Sequence, residues 1–189
     1  MDICSNDFSS SIIIGTKQSH RKIKSQYWIC LDDVYYDFDR EQISKIDAIK
    51  FVIASDSSIL DANHDDQTLL LKDQANNKHP DAFIDTCLKS DSGVASLRFA
   101  HLLGLNPIYV IGLGDQMHNG RFYFHNDSVI PVDKQKTTYA KKSPNVVAYI
   151  NELIAMGTKI FSCSPISSLN KIVPFVELKQ AIQDHRVIK

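Results

Sequence analysis

The sequence predicts an α/β fold: a mostly parallel sheet with helices on both faces. Three observations carry this. Short β-branched runs recur along the chain and are apolar throughout rather than alternating, as strands buried on both faces are. Segments with apolar residues at helical spacing lie between the later runs. The runs also tend to end in Gly, Ser, Thr or Asp, the residues of strand-to-helix turns.

Taken in order, Ser11-Ile12-Ile13-Ile14-Gly15 is the first strand and stops at Gly15. Gln26–Leu31 is the second, ending at Asp32-Asp33, which are expected to point to opposite sides of an extended segment. Ile49–Ala54 is the third, and Leu69-Leu70-Leu71 a short fourth. A helix then follows the turn Ser90-Asp91-Ser92-Gly93, with Val94, Leu97, His101 and Leu105 on one face and Ala95, Phe99 and Leu102 widening it. His101 on that face reads as a core residue. Gly104 and Pro107 close the helix, and Ile108–Ile111 forms a strand bounded by Gly112. A second helix runs from Asn145 to Met156 and ends at Gly157, before the strand Lys159–Cys163. The stretches 56–85 and 116–143 are long and polar, the pattern of lids or binding loops.

With 189 residues the chain fits a single domain, 1–189, large enough for a core without staples. A formal net charge of −1 gives no general attraction to nucleic acid or acidic membranes. No segment approaches the ~20 apolar residues of a membrane span. The four cysteines are scattered, with Cys30 and Cys163 inside apolar runs where a reduced thiol packs as a small hydrophobe. The first ten residues lack the basic start and long apolar core of a signal peptide. A cytoplasmic protein is expected.

Open parallel sheets gather ligands at the carboxyl ends of their strands. There the sequence places Gly15, Thr16 and Lys17, then Asp32 and Asp33, then Ser55–Ser58, then Gly112, Gly114, Asp115 and Gln116, and last Ser164 and Pro165. Such residues suit a ribose and a phosphate, and equally suit ordinary turns. The helix opening at Ser92-Gly93 offers backbone N–H groups to an anion. The plainer reading makes Ser92 its cap.

The run SGVASLRFAHLLGLNPIYVIGLGDQMHNGRFYF resembles the signature of bacterial family 42 sialyltransferases: a Ser-Gly turn, a helix ending in Leu-Gly, a strand, an acidic residue and N-G-x-x-Y. The wider superfamily includes proteins related to the 6-hydroxymethylpterin diphosphokinase MptE. The later run VVAYINELIAMGTKIFSCSPISSLNKIVPFVEL is similar to the family's next helix and strand, and NDFSSSIIIGTKQSH and YWICLDD to earlier elements. The resemblance implies a Rossmann-like fold holding a nucleotide at the strand ends. It places Thr16 and Asp32 near the nucleotide, Ser92 and Gly93 in the turn against it, Asp115 at the acidic position and Tyr123 at the tyrosine that assists the departing phosphate. Two family features have no counterpart: the N-G-P-S phosphate turn, and the catalytic histidine before the second helix, where this chain reads TTYAKKSPNV.

Other residues offer chemistry. His118 and His125 flank Asn119-Gly120 near Tyr123 and are candidates for a general base, or are simply solvated. Asp61, His64, Asp65 and Asp66 offer oxygen and imidazole to a hard cation, but match no established loop and read better as an exposed turn, so no metal is assigned. Lys134, Lys136, Lys141 and Lys142 form a basic patch suited to a phosphate or to solvent.

The expected function is binding of a nucleotide or nucleotide-activated sugar, such as a CMP-sugar, by a diverged sialyltransferase-like transferase. A non-catalytic binder that senses or sequesters its ligand is the alternative, and a partner-binding domain that keeps only the fold is the third reading. A homo-oligomer stays open, as does a second subunit that supplies the phosphate turn.

Overall fold

The computed structural model describes residues 8–9, 11–54, 66–72, 91–113 and 146–187. The fold is α/β and Rossmann-like, with every strand pair among the described residues parallel. Internal contacts divide the chain into two units, Met1–Leu102 and Leu103–Lys189.

The first unit holds a four-stranded sheet in the order β1-β2-β3-β4. The strands are β1 (Ile14–Thr16), β2 (Tyr27–Cys30), β3 (Ile49–Ala54) and β4 (Thr68–Lys72). Register sets the two faces, because paired residues share a face and neighbours along a strand alternate. Trp28 pairs with Lys50, and Cys30 with Val52. Val52 pairs in turn with Leu70. Trp28, Cys30 and Val52 pack with Tyr35, Tyr36 and Ile43 of α1 (Asp33–Ile43) into one core cluster. On the other face Ile29 packs with Ala95 of α2 (Ser92–Leu102), joined by Ile14, Phe51 and Phe99. Phe99 meets Tyr27 and Phe51 at ring-centroid distances of 5.0 and 4.9 Å.

The first strand is shorter than Ser11–Gly15, since Ile12 lies outside it and is exposed. Asp32 and Asp33 do not share an extended segment. Asp32 is the extended N-cap and Asp33 already begins α1. α1 itself is absent from the sequence reading, and it is the crossover between β2 and β3. Its buried stripe is Tyr35, Tyr36, Asp39 and Ile43, while Val34 and Phe38 are 62% and 54% exposed. Its backbone kinks at Asp39, where φ is −116° and ψ 17°. Just beyond α1, Lys50 is 1% exposed. Its ammonium donates to the carbonyls of Ile46 and Ala48 at 2.8 and 3.1 Å, which satisfies a charge held out of water.

α2 keeps the predicted inward positions Val94, Ala95 and Leu97, all buried. It ends at Leu102, which is exposed rather than part of the apolar face, and His101 is only half-buried.

In the second unit β5 (Ile108–Val110) pairs with β6 (Ile160–Ser162). Tyr109 and Phe161 stack side by side across the pair, 5.3 Å apart. Residues 146–155 form a helix, α3, that buries Val146, Ile150 and Leu153. Gly157 ends it with φ +89°, a conformation glycine adopts without a Cβ penalty. The Asn106 side chain then clamps the return, donating to Gly157 O at 3.2 Å and accepting from Lys159 N at 2.9 Å. A final helix, α4 (Leu178–Val187), buries Leu178 and Ala181 and is also absent from the sequence reading. Cys30 and Cys163 are buried free thiols, as their apolar runs predict. Among the described residues no helix is long and apolar enough to cross a membrane.

Candidate functional site

Thr16, Lys17, Asp32, Ser92 and Gly93 come together at the carboxyl ends of β1 and β2. Thr16 is the last residue of β1, and its N–H donates to Ser19 Oγ at 2.8 Å. This hydrogen bond starts a 3-10 turn over Lys17–Arg21 instead of a long crossover helix. Lys17 reaches across to β2's end, where its Nζ donates to Asp32 Oδ2 at 2.8 Å. Asp32 Oδ1 accepts from Tyr35 N at 3.1 Å, so one carboxylate both caps α1 and holds Lys17. The Cys30 thiol donates to Asp32 O at 3.3 Å, tying the same residue to the strand below.

Ser92 and Gly93 open α2 beside this edge. The cap of α2 is Asp91, whose Oδ1 accepts from Val94 N at 3.0 Å. Ser92 therefore is not the cap. Its Oγ accepts from Leu31 N at 3.0 Å, stitching α2 to the end of β2, and the residue is only 3% exposed. The Ser92 carbonyl takes the Ser96 hydroxyl at 2.7 Å. First-turn amides have no acceptor within a helix. With Val94 N given to Asp91, those of Ser92 and Gly93 are the remaining donors of that turn. The N-termini of α1 and α2 thus meet the end of β2 from opposite faces, and both bring partial positive charge.

Beneath the edge lies a polar network that the sequence does not announce. Asp39 is 6% exposed and its Oδ2 accepts from Arg21 Nη2 and from Tyr35 OH, each at 2.9 Å. His20 gives its Nδ1–H to Lys17 O at 2.8 Å, and its Nε2 stands 3.5 Å from Asp39 Oδ2. Trp28, fully buried, donates Nε1–H to the same Lys17 carbonyl at 2.8 Å. The His20 ring meets the Trp28 ring edge-on at 6.1 Å. Burial first, and the Asp39 hydrogen bond second, push the Tyr35 phenol well above its usual pKa, so it stays a donor. The one signal for this network in the sequence is Trp28 itself. An indole N–H in the middle of a buried strand requires an acceptor.

A cation, a carboxylate and two helix N-termini suit an anion joined to a hydroxyl-bearing group. His20 faces inward onto Asp39 and is not placed to take a proton from a ligand at the edge. Of the other predicted residues, Asp115, His118, Tyr123 and His125 lie outside the described residues, as do Ser55–Ser58, Asp61, His64, Asp65 and the four lysines of the second loop. Among the described residues no group of three or more His, Cys, Asp or Glu is placed to hold a metal ion.

In the second unit, the ends of β5 and β6 bind each other. Gly112 N donates to Ser164 Oγ at 2.9 Å and Ser167 Oγ donates to Leu113 O at 2.6 Å. Ser164 there serves as a turn residue.

Comparison with protein-family models, with curated proteins and with solved structures finds no match to this chain.

Proposed function

We propose that the chain binds a nucleotide or nucleotide-activated sugar at the carboxyl edge of its four-stranded sheet, as a diverged sialyltransferase-like transferase. The observation that carries this is the meeting of α1 and α2 at the end of β2, from opposite faces, with Asp32 and Lys17 paired between the strand ends. Open α/β sheets hold their ligands at the carboxyl ends of their strands, and helix N-termini there offer donors to an anion. The amides of Ser92 and Gly93 suit a phosphate, and Asp32 suits a ribose hydroxyl. The sequence likeness to family 42 sialyltransferases adds the transferase half of the reading.

A non-catalytic binder is the second reading. It is favoured by the lack of a histidine before α3 and by the inward placement of His20 on Asp39.

A thermal-shift panel tests both: cytidine, uridine, guanosine and adenosine mono- and diphosphates, a CMP-sugar, and cyclic and dinucleotides. A ligand at about 100 times its Kd adds roughly 2.7 kcal/mol of stability, which is readily seen. A cytidine-selective shift with hydrolysis of the CMP-sugar supports the transferase. A shift without turnover of any donor supports the binder. A flat panel from a folded protein overturns both.

A further inference from the structure

Among the described residues, Lys17 is the one residue other than glycine with a positive φ, +44°. There its own Cβ strains the backbone, and such a residue persists where its surroundings over-determine it. Two donors do so here, since Trp28 Nε1 and His20 Nδ1 both bind the Lys17 carbonyl at 2.8 Å. The peptide is thereby turned so that the side chain leaves at the carboxyl edge and meets Asp32. That ion pair is partly open to water, with 34% of the Lys17 and 24% of the Asp32 side chain exposed. A pair so solvated adds little to stability and does not offset a strained backbone. Glycine or asparagine makes the same turn with less strain. The turn and the ion pair alone do not call for lysine at this position.

We infer that Lys17 is the phosphate-binding cation of the proposed site, held on Asp32 until a phosphate takes the carboxylate's place. The inference rests on the nucleotide reading and adds to it the residue that meets the ligand's anionic end. Asp32 stays in position through the exchange because its other oxygen caps α1. The ammonium swings on a flexible four-carbon stem and meets phosphate as a compact charge with three donors. Asp32 Oδ2 is then left to accept from a ligand hydroxyl. The ligand replaces both halves of the pair, a phosphate for the carboxylate and a hydroxyl for the ammonium. A nucleoside supplies only the second.

Calorimetric titration of the full chain with inorganic pyrophosphate, with CMP, UMP, GMP and AMP, and with the four matching nucleosides tests this. The expected result is that pyrophosphate binds and that at least one nucleotide binds about tenfold or more tighter than its nucleoside, the worth of a charged hydrogen bond. Lys17→Gln removes that gap and Lys17→Arg keeps most of it. Lys17→Gly, which relaxes the strained turn, also removes the gap while melting no lower than wild type, so the loss is not one of folding. Nucleotide binding unchanged in Lys17→Gln overturns this inference and leaves the nucleotide reading in place. Lys17-dependent pyrophosphate binding with no response to any nucleotide supports the phosphate role and removes the nucleotide reading. No binding of any probe overturns both.

Discussion

On one face of the four-stranded sheet, α2 lays Ala95 and Phe99 over Ile14, Ile29 and Phe51, an apolar contact fastened at its start by the Ser92 hydrogen bond from Leu31 N. On the other, α1 packs Tyr35, Tyr36 and Ile43 onto Trp28, Cys30 and Val52, and adds to that apolar cluster the hydrogen bonds of Asp39 with Arg21 and Tyr35. Apolar packing is non-directional and tolerates repacking when volume is kept. A buried polar network does not, because each group left without its partner carries its full desolvation cost. Both faces supply apolar adhesion, the α1 face through the larger buried cluster. The α1 face therefore also supplies position, and what it positions is the Lys17 carbonyl and, through it, the carboxyl edge.

The largest expected effect comes from breaking the polar network on the α1 face. Asp39→Ala removes the hydrogen bonds that Arg21 and Tyr35 give to a buried carboxylate and should cost about 3 kcal/mol in urea unfolding, the worth of two hydrogen bonds to a charged group. Phe99→Ala, on the α2 face, should cost about 2 kcal/mol, since Phe99 is only half-buried. The sharper readout is the Lys17 turn: Asp39→Ala should weaken the Lys17-dependent binding of pyrophosphate, and Phe99→Ala should not. Equal effects on binding would erase the distinction between the faces.

A smaller effect appears with pH. Tyr35 has its pKa raised in the folded protein, so above about pH 10 the unfolded chain releases a proton that the folded one keeps. Stability then falls as pH rises, by at most about 1.4 kcal/mol per unit for one such group. Tyr35→Phe should remove that slope. Cys163, in the second unit, is pushed by burial from 9.0 to about 11 and contributes a separate decline that begins near pH 9. Cys163→Ala should flatten that earlier part alone. A single decline that ignores both substitutions would remove Tyr35 and Cys163 as its source.

The smallest effect is a gain. Lys17→Gly relieves a left-handed side chain, worth about 1 kcal/mol, and loses a half-open ion pair worth about 0.5 kcal/mol, for a net change near zero or slightly stabilising. A loss of several kcal/mol would mean that the ion pair, and not the hydrogen bonds on the Lys17 carbonyl, holds the turn.

The same contrast explains what was legible in the sequence. α2 could be read because its inward residues Val94, Ala95 and Leu97 form the apolar stripe that helical periodicity detects. α1 could not, because its inward stripe contains two tyrosines and Asp39 while its apolar Val34 and Phe38 point to water. Periodicity therefore indicates the wrong face. Thr16, Asp32, Ser92 and Gly93 were legible as small or hydroxylic residues ending apolar runs or opening a helix, and the structure gathers them at one edge. Their bonding was not. Ser92 looked like a cap, and Asp91 beside it does that work. The left-handed turn at Lys17 has no signature in composition, because lysine is not a residue that favours it.

Trp28 is the only tryptophan in the chain, and its ring is sealed from solvent with the indole N–H on the Lys17 carbonyl. Nature has thus placed the single dominant ultraviolet fluorophore of the protein one hydrogen bond from the edge where ligands are expected. Excited at the red end of its absorption, the unlabelled protein reports on that one turn alone, and any shift in emission colour or lifetime on adding a small molecule is a local signal with a known address.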